Sequence, residues 1–324
     1  MTGPGQYMAR EMAEGATVFA RAAAQSLAPM DRPQAIYTFA RGSSDAAALI
    51  LAYAYMRRLK IPVTSLPPSV FSLGGGLAME NALALAVSQS GRSDDLVACV
   101  KGGGRSVAIT NAPQSPVGQA ADVVLPIGAG EERAVPATKT VLGAIGAGLA
   151  LLTALDPDAH AERDAAIRHF EAPLAPLPGS DTLVGALQDA EHIYVLGRQE
   201  GYGLAQEIAL KLKETAALHA EAYSASEVLH GPLQLSIRPM MVLVLDLDHG
   251  PSHASLDAAE ARFQAEGARV FRIGAAELEG ADLTPPAKAA LLLYALYPVI
   301  HSVALALGYD PDRPSTLSKV TRTE

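Results

Sequence analysis

Two ionisable residues, Lys211 and Glu214, stand three positions apart in a stretch with helical periodicity, and His230 follows beside the chain breakers Gly231 and Pro232. Side chains at i and i+3 lie on one face of a helix, so we expect the ammonium and the carboxylate to be neighbours. A carboxylate, an adjacent cation and an imidazole are groups that general acid–base chemistry uses. An ordinary surface ion pair is the competing interpretation of the same spacing.

A second group of polar residues lies between a predicted strand and a predicted helix, and it comprises Ser88, Gln89, Ser90, Gly91, Arg92 and Ser93. Hydroxyl and backbone N–H groups at such a turn suit a phosphate, because glycine lets the backbone approach and the helix N-terminus favours an anion. Ser43 and Ser44 occupy the equivalent turn after an earlier strand and could close the same pocket. Helix capping is the alternative for Ser93. Neither turn matches a P-loop or a dinucleotide-binding fingerprint.

The elements that must position these groups alternate between strand and helix. Apolar runs predict strands over residues 35–40, 81–87, 106–110, 121–127, 192–196, 240–247 and 270–273. Helical patterns predict helices over residues 1–32, 46–59, 94–100, 137–155, 204–218, 253–266 and 286–307. This alternation is typical of an α/β fold, in which a mostly parallel sheet carries helices on both faces.

The two halves of the chain resemble each other. The segment IYTFAR at 36–41 aligns with IYVLGR at 193–198, an offset of 157 residues (193 − 36) in a chain of 324, and both copies continue into a turn and a helix. Self-similarity at half the chain length indicates a duplicated domain. We predict a first domain over residues 1–157, with an N-terminal helix, and a second over residues 158–324, which ends in a polar tail.

Composition excludes several classes of function. Hydrophobic residues make up 49% of the chain and charged residues 18%, which is typical of a globular protein. The net charge of −9, without a basic block, argues against a nucleic-acid partner. One cysteine, Cys99, and a start without a secretory pattern predict a reducing, cytoplasmic location. The apolar stretch 289–307 contains Pro298 and His301, so we expect a buried helix and no membrane role.

Four motifs together carry a resemblance to a known family. They are the SQSGRS loop, VPATK at 135–139, ALKLKETAALHAEAYSASEVLHGPL at 209–233 and the ending LSKVTRTE. The chain resembles the sugar isomerase (SIS) proteins, specifically the isomerase half of glutamine–fructose-6-phosphate aminotransferase, over nearly its whole length. The resemblance implies two tandem flavodoxin-like SIS domains, each a parallel sheet with helices on both faces, and no metal or redox cofactor.

The resemblance also implies residues that bind the substrate. The serine–glutamine loop would hold the phosphate of a phosphorylated amino sugar or ketose through Ser88, Gln89, Ser90 and Ser93, with Ser44 from the first turn. Its neighbour Ser43 is a candidate from the position of that turn alone. The segment that contains Val135 and Ala137 would contact the sugar. Here Pro136 and Ala137 stand in a motif that usually reads VASTK, and one hydroxyl is lost.

Catalytic roles follow from the same resemblance. Glu214 would be the base that moves a proton between C1 and C2, with Lys211 beside it. His230 would open the sugar ring, reaching into the site of the neighbouring subunit of a homodimer. Lys319, five residues before the end, would close over the substrate and contact the open-chain sugar. Ring opening and enediol formation need an acid/base and a carboxylate, so the assignment makes chemical sense without the resemblance.

Departures from the family pattern affect the expected reaction. The amidotransferase half has no counterpart, and no cysteine stands near the start, so we expect a reaction with free ammonia or none. Arg92 and Ser93 replace glutamate and threonine, and Asp45 replaces a common aromatic residue. Similar loops occur in stand-alone SIS deaminases. His249 and His253 flank Gly250-Pro251, which we do not expect to hold them as paired ligands on a helix, so no metal site is predicted.

These features predict a glucosamine-6-phosphate deaminase of SIS type that yields fructose 6-phosphate and ammonia. A related phosphosugar isomerase or deglycase, acting on galactosamine 6-phosphate or a fructosamine phosphate, remains open because it would keep the same site. A non-catalytic phosphosugar sensor is the alternative from another class. Such sensors usually carry a DNA-binding helix-turn-helix, and the first 32 residues are too short for that module.

Overall fold

The computed structural model describes residues 3–102, 104–248 and 250–319, and it contains two compact units. The five-stranded unit comprises residues 14–132 and 139–172. The four-stranded unit comprises residues 3–13, 133–138 and 173–319, so that the first helix, α1 (Gln6–Ala13), belongs to it. The domain boundary at residue 157 stays a prediction.

The five-stranded unit is a parallel sheet in the order β2-β1-β3-β4-β5. Its strands are β1 (Ala35–Phe39), β2 (Val63–Ser65), β3 (Ala82–Ser88), β4 (Arg105–Thr110) and β5 (Val123–Pro126). Its helices are α2 (Gly15–Ala23), α3 (Ser43–Leu59), α4 (Ser69–Ser72), α5 (Asp94–Lys101), α6 (Pro116–Ala120), α7 (Lys139–Leu155) and α8 (His160–Glu171). This strand order is that of flavodoxin-like folds.

The four-stranded unit repeats the arrangement, with parallel strands in the order β7-β6-β8-β9. Its strands are β6 (Ile193–Gly197), β7 (Ala220–Ser224), β8 (Met241–Asp246) and β9 (Arg269–Gly274). Its remaining α-helices are α9 (Ser180–Gln188), α10 (Glu200–Ala216), α11 (Gly250–Ala265) and α12 (Pro285–Ala306). Two 3-10 helices, Glu227–His230 and Pro232–Ile237, connect β7 to β8, and a third spans Ala275–Leu278.

The predicted α/β fold class, with two tandem parallel sheets, is confirmed. Central strands such as β3 and β8 are buried at every position, because helices cover both faces of a parallel sheet. The sequence prediction omitted β2 and β7, the edge strands on the same side of the two sheets. Most positions of these two strands are exposed or half-buried, so they lack the continuous apolar run by which the other strands were recognised.

One described helix, α12, is long and apolar enough to cross a membrane when length and composition alone are considered. Within the four-stranded unit it packs against α9 and α10, and 67% of its most apolar 18-residue window is buried. A buried helix of a globular protein has this character, because apolar residues on all faces need cover from neighbouring elements.

The start of α1 is capped by an aspartate from the far end of the chain. Asp312 is buried, and its carboxylate accepts hydrogen bonds from the backbone N–H groups of Tyr7 (2.8 Å) and Met8 (2.7 Å). The first N–H groups of a helix have no partner within the helix, so an outside acceptor satisfies them. Because Val135 N–H donates to the carbonyl of Asp312 at 3.1 Å, the same residue joins α1, the 133–138 segment and the C-terminal tail.

Replacing Asp312 by alanine removes the acceptor and leaves two helix N–H groups without it. We expect Asp312→Ala to lower the free energy of unfolding by about 2–3 kcal/mol, the cost of unsatisfied buried hydrogen-bonding groups. The measurement is the urea unfolding midpoint. Asp282→Ala, at an exposed position of the same unit, is the matched control. Equal midpoints for the two variants would contradict this account of Asp312.

Candidate active site

The five-stranded unit brings two polar turns together at one edge of its sheet. Ser43 and Ser44 begin α3 just after β1, and the 88–93 loop follows β3. Strands β1 and β3 are parallel neighbours, so both turns lie at the carboxyl ends of adjacent strands. The order β2-β1-β3 makes this the point where chain direction across the sheet reverses, which is where open α/β sheets bind ligands.

Hydrogen bonds within the 88–93 loop fix its shape. Ser88 Oγ accepts from the N–H of Gly91 at 3.1 Å, and Gly91 carbonyl accepts from Val117 N–H at 3.0 Å. Gly91 has φ +61°, a left-handed conformation that glycine adopts readily, and a Cβ at this position would overlap Ser115 Oγ. Ser93 is the N-cap residue of α5, yet among the described residues its hydroxyl makes no capping hydrogen bond. Capping therefore does not account for the Ser93 side chain.

An ion pair joins the two turns. Arg41, which follows β1, donates from Nε to Asp95 Oδ2 at 2.8 Å, and its second nitrogen donates to the same oxygen. Asp95 is buried in the first turn of α5.

Another carboxylate, that of Asp45, lies in the first turn of α3. Burial raises its pKa, and a hydrogen bond from Ser65 partly offsets this rise. The backbone of the 88–93 loop is fixed by its hydrogen bonds, and the side chains of Gln89, Ser90 and Ser93 are half-buried along it.

In the four-stranded unit, α10 carries a row of three ionisable side chains. Lys211 is fully buried; its Nζ donates to Glu214 Oε2 at 2.5 Å and lies 3.4 Å from Glu207 Oε1. Glu207 is also fully buried, whereas the side chain of Glu214 is 24% exposed. Burial alone would lower the pKa of Lys211, but the carboxylates of Glu207 and Glu214 outweigh it and raise the pKa above its ordinary value. We call these three residues the α10 triad.

The triad confirms that Lys211 and Glu214 are neighbours and excludes the interpretation of an exposed ion pair, because the lysine is not at the surface. Glu207 was not identified from the sequence. Its position four residues before Lys211 was a usable signal, since side chains at i and i+4 share a helix face.

His230 is exposed at the end of the 3-10 helix Glu227–His230. The next 3-10 helix places two large apolar side chains in solvent, Leu235 at 53% and Ile237 at 72% exposure. Single exposed apolar residues are common on protein surfaces. Here two of them lie within one short segment, a few residues after His230.

The remaining predicted residues also lie in the four-stranded unit. Val135 and Ala137 belong to the 133–138 segment, which is fixed by the hydrogen bond of Val135 to Asp312 and by Glu11, whose carboxylate accepts from the N–H groups of Arg133 and Ala134. Lys319 is half-buried and is the last described residue of the tail that follows Asp312. Residues 133–138, which contain Val135 and Ala137, and the lysine-bearing tail are therefore parts of the same unit as Glu214.

A cluster at the carboxyl end of β8 has the composition of a metal site, with Asp246, Asp248 and His253 close together. Arg272 contacts this cluster and donates to Asp246 Oδ2 at 2.6 Å, while Asp248 accepts from Ala276 N–H at 2.7 Å. These contacts explain both carboxylates as parts of an ion-pair and capping network.

His253 lies on a helix, as the helical pattern from residue 253 predicts, and whether His249 and His253 could act as paired ligands stays a prediction. Helix α11 starts at Gly250, and proline is compatible with the first turn, where its missing N–H has no intrahelical acceptor. His249 lies outside the described residues.

Comparison with known proteins decides the family. A model described as the SIS domain matches residues 31–154 and again residues 186–292. The chain belongs to the SIS domain family. The two matches confirm the duplication indicated by the repeated IYTFAR and IYVLGR segments.

Similar proteins are known by sequence and by structure. The SIS chain is 31% identical over 314 residues to the glutamine–fructose-6-phosphate aminotransferase (isomerizing) of Zymomonas mobilis subsp. mobilis (strain ATCC 31821 / ZM4 / CP4), covering 87% of this chain and 51% of the relative. It thus spans about half the length of the curated relatives it matches. A structure from Silicibacter pomeroyi DSS-3, provisionally assigned as a phosphosugar isomerase, has a TM-score of 0.76 at 31% identity, covering 94% and 99% of the two chains.

A glucosamine-6-phosphate deaminase from Thermotoga maritima also has a TM-score of 0.76, with 20% identity and coverage of 98% and 100%. At that identity the likeness shows the shared SIS fold.

The shape of the SQSGRS loop should depend on Gly91. We expect Gly91→Ala to lower the free energy of unfolding by more than the 1–2 kcal/mol of a left-handed alanine, because the new methyl group would also overlap Ser115. Gly75→Ala is the matched control, since Gly75 has φ +79° and no atom within 4 Å of the added Cβ. Urea unfolding of both variants measures the difference. Equal losses would show that the contact with Ser115 does not constrain the loop.

Proposed function

We propose that this protein is a glucosamine-6-phosphate deaminase, which opens the sugar ring, moves a proton from C2 to C1 and releases ammonia to leave fructose 6-phosphate. The proposal places it as a cytoplasmic homodimer. The observation that carries it is the α10 triad: a buried ammonium fixes a carboxylate, and that carboxylate is the member of the triad whose side chain is partly open to solvent.

Glu214 suits the role of base in the enolisation. Its Oε2 is bound by the ammonium of Lys211, so the orientation of the carboxylate is fixed before a substrate arrives. A carboxylate that transfers a proton between adjacent carbons must reach both carbons from one position. A fixed, partly exposed side chain meets that requirement better than a freely rotating one.

The 88–93 loop suits the phosphate. Ser88, Gln89, Ser90 and Ser93 offer hydroxyl and amide groups at the start of α5, where the helix dipole favours negative charge. Ser43 and Ser44 contribute hydroxyl groups from the adjacent turn. The similarity to glutamine–fructose-6-phosphate aminotransferases supports a phosphosugar, because fructose 6-phosphate is part of the name of those relatives.

The proposed reaction balances without an oxidant or a reductant. Ring opening of glucosamine 6-phosphate gives the C1 aldehyde with an amine on C2. Removal of the C2 proton by Glu214 forms an enolamine, and return of a proton to C1 gives a C2 imine. Water then adds to the imine and displaces ammonia, which leaves the C2 carbonyl of fructose 6-phosphate. Lys319 would contact the open-chain sugar, and the 133–138 segment, with Val135 and Ala137, would line it.

We assign ring opening to His230 of the neighbouring subunit in the proposed dimer. The exposure of its imidazole at the end of a 3-10 helix supports this assignment, because a second molecule could contact the ring. Leu235 and Ile237, exposed on the following 3-10 helix, would be covered by the same association, which would remove apolar area from water.

A substrate panel distinguishes glucosamine-6-phosphate deaminase activity from the alternative activities. Ammonia release is measured with glucosamine 6-phosphate and galactosamine 6-phosphate, and release of the bound amine is measured with a fructosamine 6-phosphate. Turnover of galactosamine 6-phosphate or of the fructosamine 6-phosphate, without turnover of glucosamine 6-phosphate, would change the proposed substrate but keep a phosphosugar reaction at the same site. Binding without turnover of any of them would favour a phosphosugar sensor.

Glu214→Gln keeps the size of the side chain and removes its ability to accept the C2 proton. We expect loss of at least about 100-fold in deuterium incorporation from D2O into the sugar, the usual scale for a general base. Binding of glucosamine 6-phosphate, measured by calorimetry, should persist. Glu266→Gln at an exposed position is the control. Undiminished exchange in Glu214→Gln would remove Glu214 from this role.

Mixing two inactive variants tests the assignment of His230. In a hybrid dimer of Glu214→Gln and His230→Ala, one of the two sites combines an intact Glu214 with an intact His230 from the other subunit. Random reassociation makes half of the dimers hybrids, so activity should recover to about a quarter of the wild-type value. If the mixture stays as inactive as its components although hybrid dimers form, His230 does not act across subunits.

A further inference from the structure

A hydrogen bond connects the α10 triad to the last helix of the four-stranded unit. Tyr297 of α12 donates from Oη to Glu207 Oε1 at 3.2 Å. The same oxygen lies 3.4 Å from Lys211 Nζ, which donates to Glu214. Tyr297, Glu207 and Lys211 are fully buried, so the chain of contacts runs from the interior of α12 to the one partly exposed carboxylate.

We propose that Tyr297 is a positioning residue, which acts through Glu207 and Lys211 to hold the carboxylate of Glu214 in its reactive orientation. The inference rests on the proposed function, in which Glu214 moves the proton between C2 and C1. Tyr297 itself does not touch the reacting atoms in this account.

The need for such a residue follows from the burial of Glu207. A carboxylate without access to water must receive hydrogen bonds from the protein, because an unsatisfied buried charge is costly. Its two oxygens could exchange places by rotation about the last side-chain bond. A phenol on an adjacent helix fixes one oxygen, and that oxygen is the one facing Lys211.

The aromatic side chain is a rigid support for this contact. A tyrosine has two side-chain torsions, so it loses little freedom when it is fixed. Tyr297 lies in a helix that is buried along most of its length and packs against α10. Glu207, by contrast, reaches Lys211 through three side-chain torsions. Tyr297 therefore supplies the fixed end of the chain of contacts.

Charged and titratable groups on the elements packed against α10 bear on how loss of the Tyr297 hydroxyl should change the pKa of Lys211. The elements packed against α10 are β6, β7, β8 and α12. They bring Tyr194 on β6, Glu221 and Tyr223 on β7, Asp246 on β8, and Lys288, Tyr294, Tyr297 and His301 on α12. The groups that raise the pKa of Lys211 against its burial are the carboxylates of Glu207 and Glu214. Tyr297 affects the pKa of Lys211 indirectly, through its hydrogen bond to Glu207.

The direction of the effect follows from this balance. Removing the phenol hydroxyl takes away the contact that holds Glu207 Oε1 towards Lys211, so this carboxylate oxygen can move away from the ammonium. The attraction that offsets the burial of Lys211 then weakens with distance, and the pKa of Lys211 falls. Lys211 loses its proton at a lower pH, and its hold on Glu214 is lost there.

The test is Tyr297→Phe, which keeps the ring and removes the hydroxyl. We expect kcat with glucosamine 6-phosphate to fall about ten-fold, the value of one hydrogen bond to a charged group, with KM unchanged because the phosphate loop is intact. NMR of 13Cε-labelled lysine, with Lys211→Met to assign the signal, should show Lys211 titrating about one pH unit lower.

Two further variants separate positioning from packing. In a Glu207→Gln background, Tyr297→Phe should cause no additional loss of kcat, because its route to Lys211 is already broken. Tyr55→Phe is the matched control: its buried hydroxyl donates to Gly148 carbonyl at 2.8 Å in the five-stranded unit, and its removal should leave the Lys211 titration unchanged. Thermal unfolding confirms that each variant is folded.

The outcomes decide between explanations. Wild-type kcat and an unshifted Lys211 titration in Tyr297→Phe would overturn the proposal. An equal loss of kcat in the wild-type and Glu207→Gln backgrounds would also overturn it, since that result is expected from packing alone. If the wild-type protein turns over no phosphosugar, the proposed function fails, and the Lys211 titration alone then decides whether Tyr297 acts on the triad.

Discussion

The four-stranded unit depends on burying the ammonium of Lys211. Removing a cation from water costs several kcal/mol, and the structure offsets this cost with two carboxylates on the same helix. The spacing of Glu207, Lys211 and Glu214 places all three on one face of α10, so the helix must be continuous from the first to the last. Deleting either carboxylate would leave a buried charge with insufficient compensation, a loss that typically reaches 3–5 kcal/mol. The structural and the proposed catalytic roles of these residues are therefore not separable.

The two units show how a duplicated fold can diverge at equivalent positions. The turn after β1 contains Gly42 at φ +54° and ψ −131°, and the turn after β6 contains Gln199 in nearly the same conformation, at φ +53° and ψ −125°. Glycine adopts this backbone without strain, whereas glutamine does so at a cost. After β3 the five-stranded unit has a hydroxyl-rich loop, whereas at the end of β8 the four-stranded unit has Asp246, which is paired with Arg272. The backbone plan was retained while the chemistry at the sheet edge changed.

Much of this architecture could be predicted from the sequence, because its central strands are short continuous apolar runs followed by helical periodicity. Lys211, Glu214 and the serine-rich loop were recognised for the same reason: each motif is local, and its residues lie within a few positions of one another. The edge strands β2 and β7 were missed because half-exposed strands have mixed composition. Contacts such as Tyr297 with Glu207 span 90 residues, and no local spacing encodes them.

Long-range contacts of this kind explain why an apolar helix carries a buried phenol at all. Most positions of α12 are apolar and would be satisfied by any close-packed side chain. A hydroxyl inside such a helix must find an acceptor, or its burial lowers stability. Tyr297 finds a carboxylate that is itself committed to Lys211, so each of the three groups satisfies the next. The partly open side of Glu214 is where this sequence of buried partners reaches solvent, and it is there that a substrate could complete it.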